Sequence, residues 1–177
     1  MSARCSVFIA TSLDGFIARP DGRMDWLSIV ERPGEDYGYQ RFFDSIDTLV
    51  FGRKTYETAL GFPQWPYAGK RCVVMTHTKP TPKRGEEIYA GAPGPLVDRL
   101  SAEGTQRIYV DGGDVIRQFL AAGLLTDVTL SIVPILLGEG APLFGQLGSD
   151  VRLELVESRS FDSGLVQLEY RVGAPPP

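Results

Sequence analysis

The strongest chemical feature of the sequence is a strand that stops at a glycine and continues into a cationic helical segment. An apolar run ends at Gly52, and Arg53, Lys54 and Thr55 follow at once. The start of a helix presents free backbone N–H groups and the positive end of the helix dipole, so these residues predict an anion site. An ordinary strand-to-helix turn, with the threonine near the N-cap and two solvated cations, fits the same residues and stays open.

A second apolar strand runs through paired glycines into a helical segment. Gly112 and Gly113 lead into Asp114 and Val115. Glycines let a backbone approach a ligand without a Cβ in the way, and the helix start that follows could face a pyrophosphate. The sequence has no GxGxxG pattern, and the glycine pair also fits a tight turn alone.

Polar residues follow a third apolar strand, at Thr76, His77 and Thr78. Ligands of open α/β sheets gather beyond the carboxyl ends of parallel strands, so we expect the three strand ends to line one crevice. A single loop histidine is also typical of a solvated surface, and that interpretation of His77 stays open.

The elements that must position these residues alternate between apolar strands and helical patterns. The predicted buried strands are residues 6–10, 48–51, 71–76 and 107–110. Their alternation with helical segments predicts a largely parallel sheet in an α/β fold. Two apolar helical faces are predicted to pack in the core. Tyr39, Phe42, Phe43 and Ile46 form one face, and Val115, Ile116, Phe119 and Leu120 form the other.

The last third of the chain predicts a different arrangement. The apolar run 128–137 leads into a Gly/Pro-rich loop, and segments 151–155 and 166–172 alternate apolar with polar residues. Turn residues at 162–164 separate these two segments, which predicts an antiparallel hairpin. A parallel α/β sheet that ends in such a hairpin is mixed, unlike a purely doubly wound dinucleotide fold.

Composition bounds the class of protein. The 177 residues suit one domain, predicted over residues 1–172, and residues 173–177 are expected to form a flexible tail. A net charge of −4 opposes nucleic-acid binding, and no signal peptide or membrane span is evident, which favours the cytoplasm. Cys5 and Cys72 lie in apolar runs and are expected to be buried thiols. One histidine without a CxxC pair does not support a metal site.

The ordered motifs resemble the dihydrofolate reductase superfamily, and within it the reductase domain of riboflavin biosynthesis, the RibD C-terminal domain, with its single-domain relatives. The matching segments are 10–18 (ATSLDGFIA), 24–27 (MDWL), 46–57 (IDTLVFGRKTYE), 110–113 (VDGG) and 134–144 (PILLGEGAPLF). Their order and spacing cover nearly the whole chain. The resemblance implies a three-layer α/β fold with a mixed, mostly parallel sheet, and NADPH as the cofactor.

The resemblance also implies which residues bind NADPH. The first glycine turn would bind phosphates, the polar loop would receive the 2′-phosphate, and the second glycine turn would pass beside the pyrophosphate. Three residues would lie near the nicotinamide: Ala10, Ile17 and Ala18. The other implied cofactor residues are Gly52, Arg53, Lys54, Thr55, Thr76, His77, Thr78, Gly112, Gly113, Asp114 and Val115.

Two carboxylates are candidates for catalysis. In folate-reducing relatives an acidic residue on the helix before the Gly-Arg-Lys-Thr turn holds the pterin, and Asp36 has the corresponding spacing. Asp14 lies in a loop that the resemblance implies is a mobile flap. Either carboxylate could supply or position a proton. A helix cap for Asp36 and an Asp-Gly turn for Asp14 are the open alternatives.

The implied activity is hydride transfer from NADPH to a small pyrimidine- or pteridine-like heterocycle, similar to 5-amino-6-(5-phosphoribosylamino)uracil reductase. A true dihydrofolate reductase and a non-catalytic NADP-binding module are the alternatives. The HxE and PCxxC pattern of the zinc deaminase in the bifunctional riboflavin enzyme is absent from the sequence. Related reductase domains are often dimers, so the resemblance implies a homodimer.

Overall fold

The computed structural model describes residues 1–173. The strands are β1 (Arg4–Ser12), β2 (Phe16–Ala18), β3 (Thr48–Gly52), β4 (Arg71–Met75), β5 (Glu87–Tyr89), β6 (Arg107–Asp111), β7 (Asp127–Val133), β8 (Ala141–Pro142), β9 (Leu153–Ser160) and β10 (Val166–Val172). The α-helices are α1 (Tyr39–Ser45), α2 (Arg53–Leu60), α3 (Pro93–Ala102) and α4 (Gly113–Ala121), and a 3-10 helix spans Asp25–Val30. Of the predicted flexible tail, residues 174–177 lie outside the described residues, and the single-domain boundary at 172 stays a prediction.

Eight strands form one mixed sheet in the order β5-β4-β3-β6-β1-β7-β10-β9. All neighbours from β5 to β7 are parallel, whereas β10 pairs antiparallel with β7 and with β9. The predicted parallel strands and the antiparallel hairpin are therefore confirmed. The short strands β2 and β8 pair as a separate ribbon.

Helices cover both faces of this sheet and give three layers. On one face α1 and α2 pack against a core that includes Phe42 and Tyr109. On the other face α3 and α4 pack against a core that includes Leu96, Val110 and Phe119. Successive strand side chains point to opposite faces, which explains why neighbours in β6 belong to different cores. Burying each such large apolar side chain contributes roughly 1.5–3 kcal/mol.

Both predicted helical faces lie in these cores. All four predicted residues of α4 are buried, as are Phe42 and Ile46 at the other face, while Tyr39 and Phe43 pack against the same core partly buried. A third cluster lies under the 3-10 helix, where Trp26 and Val30 pack against Val133 of β7. This cluster holds the segment between β2 and α1 against the sheet.

The two cysteines are buried free thiols, as expected. Burial raises the pKa of Cys5 and of Cys72 to about 12, so both remain protonated near neutral pH. Within residues 1–173 no helix is long and apolar enough to cross a membrane. The same residues bring together no group of three or more histidine, cysteine or acidic side chains able to hold a metal ion.

An ion-pair network around Asp127 holds the amino ends of the central strands together. The Asp127 carboxylate accepts from Ser6 Oγ at 3.0 Å, Thr126 Oγ1 at 2.9 Å, Arg4 Nη2 at 3.1 Å and Arg107 Nη2 at 3.0 Å. Burial favours a higher pKa for Asp127, but these hydrogen bonds and the two cations outweigh burial and hold its pKa below the ordinary value.

Candidate functional site

Two helix N-termini converge at the carboxyl end of the sheet. β3 ends at Gly52, and its parallel neighbour β6 leads through Gly112 into α4. A Cβ built on Gly112 would lie 2.6 Å from Thr55 Oγ1 and 3.9 Å from the Gly52 nitrogen, so the two turns are in contact. Gly112 has a φ of +88°, in the region that favours glycine. The two glycine turns therefore form one cradle of backbone.

The first turn carries the predicted anion-binding groups. Arg53, Lys54 and Thr55 are the first three residues of α2, so their backbone N–H groups have no partner within the helix. Arg53 Nη1 lies 3.0 Å from Glu57 Oε1 in an ion pair whose two side chains are 49% and 56% exposed. Exposed pairs contribute about 0–1 kcal/mol, so a bound anion can compete for this guanidinium.

The polar loop after β4 lies beside this turn. Gly52 pairs with Met75 in the register of β3 and β4, so Thr76 leaves the sheet next to the first turn. Thr78 N donates to Thr76 Oγ1 at 3.2 Å, and the two hydroxyl oxygens are 2.9 Å apart. His77 between them is exposed. The structure thus brings the loop 76–78 to the same edge of the sheet as Arg53.

The start of α4 is fixed by packing. Gly113 is buried, and a Cβ there would lie 3.1 Å from Ile17 Cδ1, which leaves little room for a side chain. Val115 is buried against the first turn. Its Cγ2 would lie 3.3 Å from a Cβ built on Gly52. Asp114 is exposed and forms an ion pair with Arg117. Gly113 and Val115 therefore shape the cradle, whereas Asp114 places a carboxylate at its edge.

The three residues predicted beside the nicotinamide lie on β1 and β2. Ile17 reaches Gly113 and so borders the cradle. Ala18 belongs to the β2–β8 ribbon and pairs with Ala141. Ala10 lies on β1 and lines a cavity on the α1 face of the sheet. The role of all three residues beside the nicotinamide stays a prediction.

This cavity has a volume of about 320 Å³, near the lower end for small-molecule sites. Phe8 and Ala10 of β1 line it together with Ser131 and Val133 of β7. The remaining lining residues are Leu27, Val30, Glu31, Arg32, Glu35, Asp36, Tyr37, Tyr39 and Leu165. The sequence did not predict this cavity, because its walls come from segments more than one hundred residues apart.

Ser131 is a buried polar group in this cavity. Its Oγ accepts from Gln167 Nε2 at 3.1 Å, and the same amide nitrogen donates to the Tyr37 carbonyl at 2.9 Å. Across residues 1–173 the Ser131 hydroxyl has no acceptor for its own hydrogen, so it is available to donate to a ligand atom.

The cavity includes Asp36, the predicted acceptor-binding carboxylate. Asp36 lies just before α1 rather than within a helix, and its oxygens accept from the Gly38 and Gln40 backbone nitrogens at 2.9 and 3.0 Å. These hydrogen bonds hold the pKa of Asp36 below its ordinary value. These contacts are those of a carboxylate that caps the start of α1. The catalytic role of Asp36 stays a prediction.

Asp14 does not line the cavity. Its carboxylate accepts from Ser12 Oγ at 2.5 Å and from the backbone nitrogens of Leu137 and Gly138 at 3.1 and 2.8 Å. The Ser12 hydrogen bond, with help from the two backbone groups, holds the pKa of Asp14 below its ordinary value. Asp14 therefore ties the turn after β1 to the loop after β7, and its role in proton transfer stays a prediction.

Asp111 was not singled out from the sequence. It is the last residue of β6, pairs in register with Phe51, and accepts from its neighbour Gly112 N at 2.8 Å. Burial raises the pKa of Asp111 to about 6. After burial, the Asp111 carboxylate is the second cause that raises the pKa of Tyr39 to about 12, so its charge acts on a residue that lines the cavity. Its position directly before the glycine pair was the available sequence signal.

A mixed sheet of this order, with helices on both faces and glycine turns at two adjacent strand ends, defines the dihydrofolate-reductase-like class of α/β proteins. The chain belongs to the RibD C-terminal domain family, whose model matches residues 5–167.

Relatives of this chain include one from Bacillus subtilis (strain 168). YwjB, an uncharacterized protein, is 35% identical over 175 residues, and the match covers 96% of this chain and 98% of YwjB. A crystal structure from Shewanella sp. PV-4, of a protein provisionally assigned to riboflavin biosynthesis, has a TM-score of 0.91 at 35% identity and covers 98% of this chain and 99% of that chain.

A more distant solved structure is a bifunctional enzyme of Thermotoga maritima, a diaminohydroxyphosphoribosylaminopyrimidine deaminase and 5-amino-6-(5-phosphoribosylamino)uracil reductase. It has a TM-score of 0.73 at 13% identity, and the match covers 97% of this chain and 57% of that chain. This likeness concerns the fold alone.

Proposed function

We propose that the protein is an NADPH-dependent oxidoreductase that transfers hydride to a small heterocycle bound in the 320 Å³ cavity. The observation that carries the proposal is the contact between the two glycine turns, which joins two helix N-termini into one anion cradle. Membership of the RibD C-terminal domain family supports the same reaction class.

The residues of the cradle fit a dinucleotide. Arg53 and Lys54 offer cationic donors, Thr55 offers a hydroxyl, and Gly112 presents backbone without a side chain. The loop 76–78 adds hydroxyl groups at the next strand end, where a 2′-phosphate would bind. When bound, NADPH supplies the hydride, and the protein contributes binding, alignment and a proton.

Asp111 is our proposed source of the proton. Hydride transfer to a C=N or C=O bond leaves negative charge on the neighbouring heteroatom, which must then be protonated. A pKa of about 6 keeps part of the Asp111 population protonated near neutral pH. The lowered pKa values of Asp14 and Asp36 favour ionised carboxylates that position groups instead.

Cofactor preference tests the cradle directly. We expect the unmodified protein to bind NADPH more tightly than NADH, and Arg53→Ala to weaken NADPH by about one to two decades, because a charge-assisted hydrogen bond is worth roughly 1.5–3 kcal/mol. Fluorescence titration with both cofactors measures this. Arg171→Ala, which removes another exposed ion-paired arginine, is the control and should leave both affinities unchanged. Equal weakening of NADPH and NADH in Arg53→Ala contradicts the assignment.

Acceptor turnover tests the reaction class. NADPH oxidation is followed with pyrimidine and pterin acceptors, and with dihydrofolate in a separate reaction. We expect consumption with at least one pyrimidine- or pteridine-like compound. Consumption with dihydrofolate alone identifies a dihydrofolate reductase, and NADPH binding without oxidation by any acceptor identifies a binding module.

We also propose that the protein is cytoplasmic and forms a homodimer. The family resemblance supports the dimer, and three large apolar side chains on the edge strand β9, Leu153, Leu155 and Val156, are between 44% and 54% exposed. Light scattering at micromolar concentration should give the mass of two chains, and Leu155→Lys should shift it towards one. A one-chain mass for the unmodified protein contradicts the dimer.

A further inference from the structure

The charge of the cavity rim differs from that of the cradle. Among the residues that line the cavity, Glu31, Glu35 and Asp36 are acidic, and Arg32 is basic. The cradle instead begins with Arg53 and Lys54 at a helix N-terminus. Acidic side chains therefore outnumber basic ones three to one at the cavity, which opposes an anionic ligand there.

Arg32, the basic residue of the rim, is already engaged with backbone. Its Nη1 donates to the Ile29 carbonyl at 3.2 Å and to the Glu31 carbonyl at 2.7 Å. A bidentate clamp on a phosphate needs the guanidinium fork free and facing the ligand. Nη1 is therefore engaged, and a phosphate held by the rest of the guanidinium would be repelled by the three acidic side chains of the same rim.

The inner surface of the cavity suits an uncharged ring. Phe8, Ala10 and Val133 are apolar, and the Ser131 hydroxyl offers one donor. A flat heterocycle can rest on the apolar surface and accept that hydrogen bond at a ring nitrogen or carbonyl. The volume of about 320 Å³ limits the ligand to one or two rings with short substituents.

We infer that the acceptor of this enzyme is a flat heterocycle without a phosphate group, neutral or cationic at the working pH. The inference rests on the proposed function, since it names the substrate class of the same cavity. It separates this chain from the Thermotoga maritima reductase, whose named substrate carries a phosphoribosyl group. The phosphate-binding chemistry of the molecule would then serve the cofactor.

Matched compounds test the inference. Uridine and uridine 5′-monophosphate form one pair, and 5-amino-6-(5-phosphoribosylamino)uracil and its dephosphorylated nucleoside form the other. Calorimetry with and without saturating NADP⁺ gives the dissociation constants. We expect the unphosphorylated member of at least one pair to bind at least tenfold more tightly. Tighter or equal binding of both phosphorylated members, or no binding of any of the four, overturns the inference.

A charge-reversal variant at the cavity rim provides a second test of the inference. Glu31 is exposed, and no side-chain hydrogen bond of Glu31 is found within residues 1–173, so Glu31→Lys should leave the fold intact. We expect it to reduce the preference for the unphosphorylated compound at least threefold. Asp98→Lys makes the same charge change on exposed α3, across the sheet, and should leave the preference unchanged. An unchanged preference in Glu31→Lys overturns the role of the rim.

The two proposals fail differently. NADPH oxidation with a phosphorylated acceptor as the better substrate rejects the inference and leaves the proposed reductase intact. Absence of NADPH binding rejects the proposed function, whereas the binding comparison without cofactor still decides which class of ligand the cavity takes.

Discussion

The two ends of the central sheet place an aspartate in opposite electrostatic surroundings. At the amino end, Asp127 is surrounded by Arg4, Arg107 and two hydroxyl groups, and its pKa is lowered. At the carboxyl end, Asp111 accepts from one backbone nitrogen, and its pKa is raised to about 6 by burial. Two arginines therefore neutralise the Asp127 carboxylate, whereas the Asp111 carboxylate has one hydrogen-bond donor from the protein among residues 1–173.

This difference separates stability from function. Cations and hydroxyl groups satisfy Asp127, so it ties strands together and has no capacity left for a ligand. Asp111 and the glycine turns next to it leave donors and acceptors unused, which raises the free energy of the empty site and makes it available for binding. Ligands of open α/β sheets bind at this second end.

Removing Asp127 should give the largest effect on the free energy of unfolding. We expect Asp127→Ala to destabilise the protein by about 3 kcal/mol, because it leaves Arg107 partly buried without its partner. Urea denaturation measures the change, and exposed Asp98→Ala on α3 is the control, expected within about 0.5 kcal/mol of the unmodified protein. A loss below about 1 kcal/mol for Asp127→Ala would mean that the network contributes little.

Replacing Asp111 should damage turnover rather than folding. We expect Asp111→Asn to lower kcat about 100-fold, the lower limit for a positioned general acid, while NADPH affinity stays within a few-fold. The amide oxygen can still accept from Gly112 N, so the turn is preserved. Single-turnover hydride transfer with a working acceptor is the measurement, with Asp14→Asn and Asp36→Asn as comparisons. Unchanged rates in Asp111→Asn, with loss in Asp36→Asn, would transfer the role to the rim carboxylate.

The pH dependence of stability should have opposite signs at the two ends. Asp111 has a raised pKa in the folded state, so its contribution falls as pH rises from its ordinary value of 3.8 to about 6. Asp127 has a lowered pKa, so its contribution is present above the ordinary value and is lost as pH falls through the folded value. Urea midpoints are measured between pH 3 and 8. Asp111→Asn should lose the fall in midpoint as pH rises from 3.8 to about 6, and Asp127→Asn should lose the fall in midpoint at low pH. The same slopes in both variants would contradict the comparison.

Filling the cradle should give the smallest of these effects. Gly112→Ala places a methyl group against Thr55 at a positive φ, so we expect NADPH affinity to fall about tenfold, or roughly 1.4 kcal/mol. Gly104→Ala is a matched control, because Gly104 has a φ of +96° but open space around its Cβ position. Both variants should lose similar stability, and only Gly112→Ala should lose affinity. Equal NADPH binding in the two would exclude close backbone approach at this turn.

Much of this arrangement follows from local sequence. Strands that lead into Gly52 and Gly112 predicted two helix starts at one edge, because parallel strands end at the same side of a sheet. The alternation in 166–172 likewise predicted a strand of the hairpin. Local patterns determine such features, since each depends on neighbours within one element.

Long-range contacts explain what the sequence left out. The pKa of Asp111 depends on its enclosure by distant segments, and the partners of Asp127 come from β1 and β6. The cavity needs β1, β7 and the segment before α1 together. The residue pattern within one strand or helix does not indicate which distant residues become its neighbours. These parts of the site could therefore be identified only in the structure.

The sheet order also imposes a sequence of events during synthesis. β1 is made first but lies between β6 and β7, with Arg4 opposite Arg107 and Ser6 opposite Asp127. At about 5–20 residues per second, roughly 100 residues of translation separate the apolar first strand from its partners by on the order of 5–20 s. The first strand therefore leaves the ribosome with both edges unpaired, and holdase chaperones that bind extended apolar segments can compete for it until β7 emerges.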